Sequence, residues 1–344
     1  MIIVMKRGAT DDEIQGLAKQ IQEWGLKPTV SRGTERTIIG IIGDEAKIAE
    51  KPIEVMPGVE SAMRVLKPYR LASSEFHTER STITIPAPKK GEKPVVFGGP
   101  DIVFVAGPCS VETPDVMMET AHAIKKSGAR ALRAGAFKPR TSPYAFQGLG
   151  VEGLRLLAAV REEVGLPVVT EVMDTRDVEM VAEVADVLQI GARNVQNYNL
   201  LKAVGRTTRP VLLKRGMAST LEELLMSAEY IMSQGNANVI LCERGIRTFE
   251  KFTRNTLDLN AVPVLKRESH LPVAVDPSHG TGYRDLVLPM ARASVAAGAD
   301  AIMIEVHPHP EKAWSDGSQT LSLEQYDKLM NECRAVAKAV GRGI

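Results

Sequence analysis

Five basic side chains stand at or shortly after the ends of short apolar runs in this sequence of 344 residues. They are Arg133, Lys138, Arg193, Lys214 and Arg244. Four side chains of another kind follow further runs, and these are Cys109, His279, Glu305 and Asp316. Guanidinium and ammonium groups bind phosphate and carboxylate oxygens, whereas a thiolate, an imidazole and two carboxylates suit a borderline divalent cation such as Mn, Fe, Co or Zn better than Mg or Ca. The two sets together predict a metal-dependent enzyme whose substrates are small, phosphorylated and strongly anionic.

The number of basic groups matches the negative charge that the predicted substrates would carry. A phosphate monoester carries about −1.5 to −2 at neutral pH, so two phosphorylated substrates and one carboxylate bring roughly −4 to −5. Taken singly, however, a strand-end arginine has a structural interpretation as the partner of a barrel carboxylate such as Glu171. Considered alone, Cys109 is interpreted as a buried apolar side chain, and His279 as a residue that caps a loop. Glu305 alone reads as a partner for arginine and Asp316 as a turn residue. The functional interpretation therefore depends on convergence in space.

The elements that would bring these groups together begin near residue 100. Eight apolar runs follow, namely DIVFVAG, ALRAG, LPVVTEV, DVLQIGA, PVLLKRG, NVILCERG, LPVAVDPS and DAIMIEV. Amphipathic stretches lie between them, for example at 113–127, 152–164, 219–234 and 284–297. Continuous apolar strands separated by helices indicate a parallel sheet buried on both faces. Eight such units predict an α/β fold, a (β/α)8 TIM barrel with catalytic groups at the carboxyl ends of its strands.

A closed barrel places its eighth strand beside its first. Cys109, after the first run, can then meet His279 and Glu305 from the seventh and eighth runs, and Asp316 from the loop that follows. The alternative fold is an open doubly wound sheet. Such a sheet carries a G-x-G-x-x-G fingerprint after its first strand, and GPCS does not match it.

The first 70 residues have a different rhythm. A β run at 2–5 is followed by a helix predicted from about Asp11 to Trp24, with Thr10 as its N-cap. Two β runs, KPTVSR and RTIIGIIG, a short helix near 45–51 and the strand VESAMRVL complete a βαββαβ order. This order predicts a small N-terminal α+β ferredoxin-like domain. It is interpreted either as a regulatory domain or as one that only packs or oligomerises, because fold alone does not show function.

Three segments are therefore expected, and they are a ferredoxin-like regulatory domain at 1–70, a linker with a short β-hairpin at 71–100 and a catalytic barrel at 101–344. The net charge of +1 and an aromatic content of 4% argue against a nucleic-acid partner. Three scattered cysteines favour a reducing compartment. Without a signal-peptide core or 18 consecutive uncharged apolar residues, the expected protein is soluble and cytoplasmic, with no membrane partner.

Seven motifs resemble those of a known family. They are AGPCS, RAGAFKPRTSPYAFQGLG, QIGARN, LLKRG, LCERGIRTFE, VDPSH and IEVHPHPEKAWSDG. In this order, on successive predicted strands, they resemble the short microbial form of 3-deoxy-D-arabino-heptulosonate 7-phosphate (DAHP) synthase over residues 100–344. The first 70 residues resemble the ferredoxin-like regulatory domain found on some of these enzymes. The related 3-deoxy-manno-octulosonate 8-phosphate synthases share barrel and chemistry, but KPRTS after Arg133 is the heptulosonate pattern.

The resemblance implies an aldol-type condensation of phosphoenolpyruvate with erythrose 4-phosphate and water, the first step of the shikimate pathway to the aromatic amino acids. It implies four metal ligands, Cys109, His279, Glu305 and Asp316. It implies cations for the carboxylate end of phosphoenolpyruvate, namely Arg133, Lys138 and Lys214, and for its phosphate, namely Arg193 and Arg244. It also implies that Arg140, Thr141 and Ser142 receive the aldose phosphate and that Ala192 belongs to the substrate site. Lys138, Cys109 and His279 would be catalytic, and Ala134 stands where relatives have glycine.

Two further expectations rest on the resemblance, and two alternatives stay open. Tyr or Phe would inhibit through the N-terminal domain, and the protein would be a homotetramer. One alternative is an octulosonate synthase that uses arabinose 5-phosphate. The other is a phosphometabolite-binding regulator that kept the barrel without catalysis, although a mere binder has no need of a metal quartet.

Overall fold

The chain forms two compact units, Met1–Pro68 and Tyr69–Ile344. The structure, a computed structural model, describes residues 1–33, 36–42, 48, 51–63, 67–139 and 142–344. Each unit has its own apolar core. Among the described residues, none of the helices combines the length and apolar character that a membrane crossing requires.

The first unit is the predicted ferredoxin-like fold. Its elements are β1 (Ile2–Met5), α1 (Asp11–Glu23), β2 (Lys27–Arg32), β3 (Thr37–Ile42) and β4 (Val59–Met63). The four strands form an antiparallel sheet in the order β2-β3-β1-β4. The predicted helix near 45–51 and the end of the predicted strand after residue 63 lie largely outside the described residues.

The start of helix α1 and the face that it buries both follow from its own sequence. Thr10 caps it as predicted, because its hydroxyl accepts the N–H of Glu13 and the Glu13 carboxylate accepts the N–H of Thr10. One face of the helix packs into the core of this unit through apolar residues at helical spacing, Ile14, Leu17 and Ile21. The rest of the helix is polar and largely exposed.

The second unit is a closed barrel of eight parallel strands, as predicted. The strands are β7 (Val103–Gly107), β8 (Ala131–Arg133), β9 (Val168–Glu171), β10 (Val187–Ile190), β11 (Val211–Lys214), β12 (Val239–Glu243), β13 (Val273–Val275) and β14 (Ala301–Glu305). Strand β14 pairs with β7 and closes the barrel. Every residue in these strands is buried, which agrees with their continuous apolar runs.

Helices cover the outer face of the barrel. They are α2 (Pro114–Ser127), α3 (Val151–Val164), α4 (Val178–Val184), α5 (Tyr198–Gly205), α6 (Leu221–Met232), α7 (Ala261–Glu268), α9 (Arg284–Ala296) and α10 (Leu323–Ala339). The short helix α8 (Pro277–Thr281) instead follows the carboxyl end of β13 and carries His279. One large core cluster lies between these helices and the outward-facing strand residues. A second cluster fills the barrel interior.

A hairpin of β5 (Ile83–Ile85) and β6 (Val95–Phe97) precedes the barrel, within the segment for which a hairpin was predicted. Its apolar side chains, including Phe97, belong to the interior cluster together with Val103 and Ala301, which begin strands β7 and β14. The hairpin therefore packs against the amino end of the barrel. The carboxyl ends of the strands face the opposite way.

One buried carboxylate ties this amino end together. The Asp300 side chain accepts hydrogen bonds from Arg80, Lys266 and Arg342. The same three cations also donate to nearby backbone carbonyl oxygens, such as that of Gly298. Because each cation is satisfied by the protein itself, this cluster is a structural junction and offers no open charge to a ligand.

A histidine at this end predicts a pH-dependent stability. The His270 ring contacts the hydroxyl of Ser81 and the carbonyl oxygen of Leu71, both at 2.7 Å. Burial lowers the pKa of His270 below its ordinary 6.5. The unfolded chain binds the proton more readily than the folded one, so stability is fully present above about pH 6.5 and is lost as the pH falls below it.

We therefore expect the melting temperature to fall between pH 7.5 and 5.5, and to fall less steeply in His270→Gln. Thermal unfolding followed by circular dichroism measures both slopes. The exposed His122 provides the control, since His122→Gln should keep the wild-type slope. Equal slopes for His270→Gln and wild type would exclude this role for His270.

Candidate active site

All five predicted cations line one cavity at the carboxyl ends of the barrel strands. Arg133 and Lys214 end β8 and β11, while Arg244 directly follows β12. Arg193 lies in the turn after β10, and Lys138 in the loop after β8. Parallel strands in a closed barrel direct these positions toward a common mouth, so residues up to 111 positions apart in sequence meet there.

Three of the cations are held by groups of the protein. Arg133 Nη1 donates to Glu305 Oε1 at 3.0 Å and to a backbone carbonyl oxygen at 2.8 Å. Lys214 Nζ pairs with Asp276 Oδ2 at 2.5 Å. Lys138 Nζ lies 2.9 Å from the sulfur of Cys109. Their positions are therefore fixed before any ligand arrives, and preorganised charge costs no rearrangement on binding.

The other two cations differ. Within the part of the chain that the structure describes, neither Arg193 nor Arg244 has a hydrogen bond or ion pair, and the buried Nη1 of Arg244 has no partner at all. Burial lowers the pKa of Arg244. A buried guanidinium whose N–H groups have no acceptor is costly, so an anion that accepts them would be strongly stabilised.

Glu171 does not fill the structural role that was considered for it. Among the described residues, no ion pair joins it to any of the five cations. Its Oε2 accepts a hydrogen bond from Gln189 at 3.2 Å, and its buried Oε1 has no partner. Gly191 makes room for it, because a Cβ there would lie 2.1 Å from Oε1. Glu171 thus presents a free acceptor to the cavity.

The four predicted metal ligands converge on the same mouth. Each offers one donor atom, and these atoms all lie within 4.8 Å of one another. Cys109 Sγ lies 3.0 Å from Asp316 Oδ2, and His279 Nε2 lies 3.3 Å from Glu305 Oε1. A thiolate, an imidazole and two carboxylates this close fit one borderline divalent cation.

Burial and neighbouring charges set the protonation of these groups. His279 Nδ1 contacts Asp276 Oδ2 at 2.8 Å, which leaves Nε2 as the metal-facing nitrogen. Burial lowers the pKa of His279, so its ring is neutral. Burial alone would raise the pKa of Asp316, but His279, Cys109 and Arg254 hold it below its usual range. Burial, and then Glu305, raises the pKa of the Cys109 thiol to about 12.

Some site residues were not found from the sequence. Asp276 is the most important, because it bonds both Lys214 and His279. Its only signal was its place at a strand end within VDPSH. Gln319 donates to Glu305 at 2.8 Å, and Arg254 pairs with Asp316 at 3.1 Å. Both residues lie in loops, where the sequence alone does not show which way a side chain points.

The remaining predicted positions have mixed outcomes. Arg140 and Thr141 lie outside the described residues. Ser142 is exposed and its hydroxyl accepts the N–H of Tyr144. Its role toward the aldose phosphate stays a prediction. Ala192 lines the cavity. Ala134 is fully buried.

A closed (β/α)8 barrel with a cation-lined cavity and a cluster of metal-ligating atoms at its strand ends defines a barrel enzyme for anionic substrates. The family model described as the DAHP synthetase I family matches residues 83–340, and that of the DAHP synthase ferredoxin-like domain matches residues 1–67. The chain therefore belongs to the DAHP synthetase I family, as an enzyme of the DAHP synthase type, which acts at the first step of the shikimate pathway.

Two kinds of known protein resemble the chain, and they differ in how much sequence they share with it. The phospho-2-dehydro-3-deoxyheptonate aldolase of Thermotoga maritima is 51% identical over 341 residues, 99% of either chain. A crystal structure of that DAHP synthase, at 50% identity, superposes with a TM-score of 0.92 over 99% of this chain and 98% of its own. A 2-dehydro-3-deoxyphosphooctonate aldolase of Nitratidesulfovibrio vulgaris is 36% identical over 251 residues, 68% of this chain and 91% of its own. The octulosonate alternative is thus the more distant likeness.

Proposed function

We propose that the barrel condenses phosphoenolpyruvate with erythrose 4-phosphate and water, and that a divalent cation held by the four ligands is required. The observation that carries the proposal is the adjacency of two features in one cavity. Arginines without protein partners offer a phosphate site, and a cluster of metal-ligating atoms lies on the same rim. The metal's identity among Mn, Fe, Co and Zn is left to experiment.

The charge distribution supports separate roles for the cations. Arg193 and Arg244 have no hydrogen bond or ion pair among the described residues, so we assign them to the phosphate of phosphoenolpyruvate. Arg133 and Lys214 are each already paired with one carboxylate, and with Lys138 we assign them to the single negative charge at its carboxylate end. The phosphate of the aldose is assigned to the loop after β8, through Arg140, Thr141 and Ser142.

The reaction follows from these positions. C3 of the enol attacks the aldehyde carbon, and the electron pair of the C=O bond moves to oxygen, where Lys138 is placed to donate a hydrogen bond. A bound divalent cation would polarise this aldehyde oxygen. Positive charge develops at C2, and water adds there, with the free Oε1 of Glu171 as acceptor for its proton. The alkoxide takes up the proton that Glu171 received. Collapse of the phosphohemiketal then forms the C2 carbonyl, breaks the bond between C2 and the phosphate oxygen, and releases phosphate together with the hydroxyl proton.

We further propose that the ferredoxin-like unit binds an inhibitory aromatic amino acid, Tyr or Phe. The match of this unit to the ferredoxin-like domain of DAHP synthases supports a regulatory role. A truncated form of the Thermotoga maritima synthase, 49% identical, matches 80% of this chain with a TM-score of 0.73, so a shortened relative exists as a folded protein. A homotetramer and a cytoplasmic location stay predictions.

One coupled assay tests the proposal. Phosphate release should require both substrates, stop after exhaustive chelation and return with Mn2+. Arabinose 5-phosphate should replace erythrose 4-phosphate poorly; equal rates would favour the octulosonate synthase. Binding of the substrates without any phosphate release would support the binding protein. Each of Tyr, Phe and Trp is then added, and indifference to all three would refute the regulatory role.

A further inference from the structure

A cluster of buried polar groups lies close to the candidate metal ligands in the chain but does not line the cavity. Glu112, in the loop after β7, accepts a hydrogen bond from the backbone N–H of Trp314 at 2.9 Å and contacts His307 Nε2 at 3.1 Å. Glu112 and His307 are almost fully buried. We call Glu112, His307 and the Trp314 N–H the Glu112 clamp. It joins the loop that carries Cys109 to the loop that carries Asp316.

The protons of the clamp can be assigned. The backbone N–H of His309 donates to His307 Nδ1 at 2.9 Å, so the ring's own proton resides on Nε2 and points at Glu112. The two carboxylate oxygens thus accept one hydrogen bond each, from different donors. Because both neighbouring groups are donors, both terminal atoms of the side chain at position 112 must be hydrogen-bond acceptors. An amide, with one oxygen and one NH2 group, cannot.

A second contact joins the same loops next to the ligands themselves. The hydroxyls of Ser110 and Ser315 lie 2.7 Å apart and are both buried. Ser110 directly follows Cys109, and Ser315 directly precedes Asp316. The spacing of these two candidate ligands is therefore set through the chain on either side of this hydroxyl pair.

The backbone of Asp316 explains why such support is needed. Its φ is 51°, the one positive φ on a non-glycine residue in the part of the chain that the structure describes. This left-handed conformation is unfavourable for a residue other than glycine and persists where the surroundings impose it. The base of the loop is closed by the bridge between Val306 and Leu321, and the Thr320 hydroxyl donates to the carbonyl oxygen of Asp316. Neither contact involves Trp314 and Ser315, the residues just before Asp316, which the clamp and the hydroxyl pair hold.

We propose that Glu112 is a positioning residue for the metal site: the Glu112 clamp imposes the strained conformation of Asp316 and so holds its carboxylate beside Cys109. This inference rests on the proposed metal role of the four ligands. Glu112 itself binds neither metal nor substrate. It acts through His307 and Trp314, on the far side of the loop from the cavity.

The test is Mn2+ binding to the full-length protein, measured by electron paramagnetic resonance of free Mn2+. Glu112→Gln keeps the shape of the side chain but leaves one donor without an acceptor. We expect its Kd for Mn2+ to rise about tenfold or more, the size seen when outer-shell partners of metal ligands are lost. Turnover should recover when Mn2+ is raised to saturation. With Co2+, the thiolate-to-metal absorption should persist, because Cys109 still binds.

Glu229 gives a matched control, since its two oxygens accept the backbone N–H groups of Leu71 and Ala72, both at 3.0 Å. Glu229→Gln should leave Mn2+ affinity unchanged. The inference is overturned if Glu112→Gln binds Mn2+ within twofold of wild type, or if Glu229→Gln loses as much affinity. A wild type that binds none of Mn2+, Fe2+, Co2+ and Zn2+ would overturn the metal proposal as well. If Glu112→Gln does not fold, His307→Leu, which removes the other side chain of the Glu112 clamp, is judged by the same affinity criteria.

Discussion

Lys214→Ala is expected to lower kcat/KM for phosphoenolpyruvate by about 10²–10³-fold. Lys214 is buried and directly contacts Asp276, which in turn contacts His279. The substitution therefore removes one preorganised positive charge from the cavity. It also leaves the Asp276 carboxylate with a histidine partner only, and an uncompensated buried charge costs about 3–5 kcal/mol.

The matched control is Lys266→Ala, at the opposite end of the barrel. Lys266 also pairs with a buried aspartate, Asp300, at 2.9 Å. Its loss should lower the melting temperature yet leave kcat/KM within about twofold. Steady-state kinetics and thermal unfolding on both variants separate chemistry from folding. If Lys214→Ala kept more than a tenth of wild-type kcat/KM, the assignment of Lys214 to the substrate would fail.

Cys109→Ala is expected to abolish metal-dependent turnover. The thiolate is the one soft donor in the quartet, and loss of a direct ligand should exceed the 10–100-fold cost of losing an outer-shell partner. Cys242→Ala is the control, because Cys242 is equally buried but lies in the barrel interior, near Met303. Metal content and turnover are measured for both variants. Full activity of Cys109→Ala after exhaustive chelation would exclude the metal role.

The same thiol predicts how metal affinity depends on pH. Because burial, and then Glu305, raises the pKa of Cys109 to about 12, the metal-free thiol keeps its proton at neutral pH. Binding must release that proton, so affinity should weaken about tenfold for each unit by which the pH is lowered. His279 adds no competing proton, since burial keeps its ring neutral. Titrations between pH 6.5 and 8.5 should show this slope in wild type, and Cys109→Ala should lose it.

The fold was largely predictable because its signals are local. The helix predicted at 113–127 is observed at Pro114–Ser127, where Thr113 caps the start and Gly128, in a left-handed conformation, ends it. The barrel strands were predictable for a related reason. Burial on both faces requires an uninterrupted apolar run, which is visible without any knowledge of the partner strands.

The site was predictable only in part, because much of it depends on partners far apart in sequence. Charged residues at strand ends could be named since the barrel fixes where strand ends point. Glu112 could not, because in the sequence it resembles an ordinary acidic residue before a helix. Its partner His307 lies 195 positions away. Asp276 was overlooked for a similar reason, since a buried acid shows its role only beside Lys214 and His279.

The pairing of β14 with β7 has a consequence for synthesis on the ribosome. The outer edge of β7, an apolar strand, has no neighbour until residues 301–305 have been made. At about 5–20 residues per second, that interval is roughly 10–40 s. An unpaired apolar edge readily joins other chains. The nascent barrel therefore exposes this edge until its final strand emerges, and slowed translation of this region would prolong its dependence on chaperones.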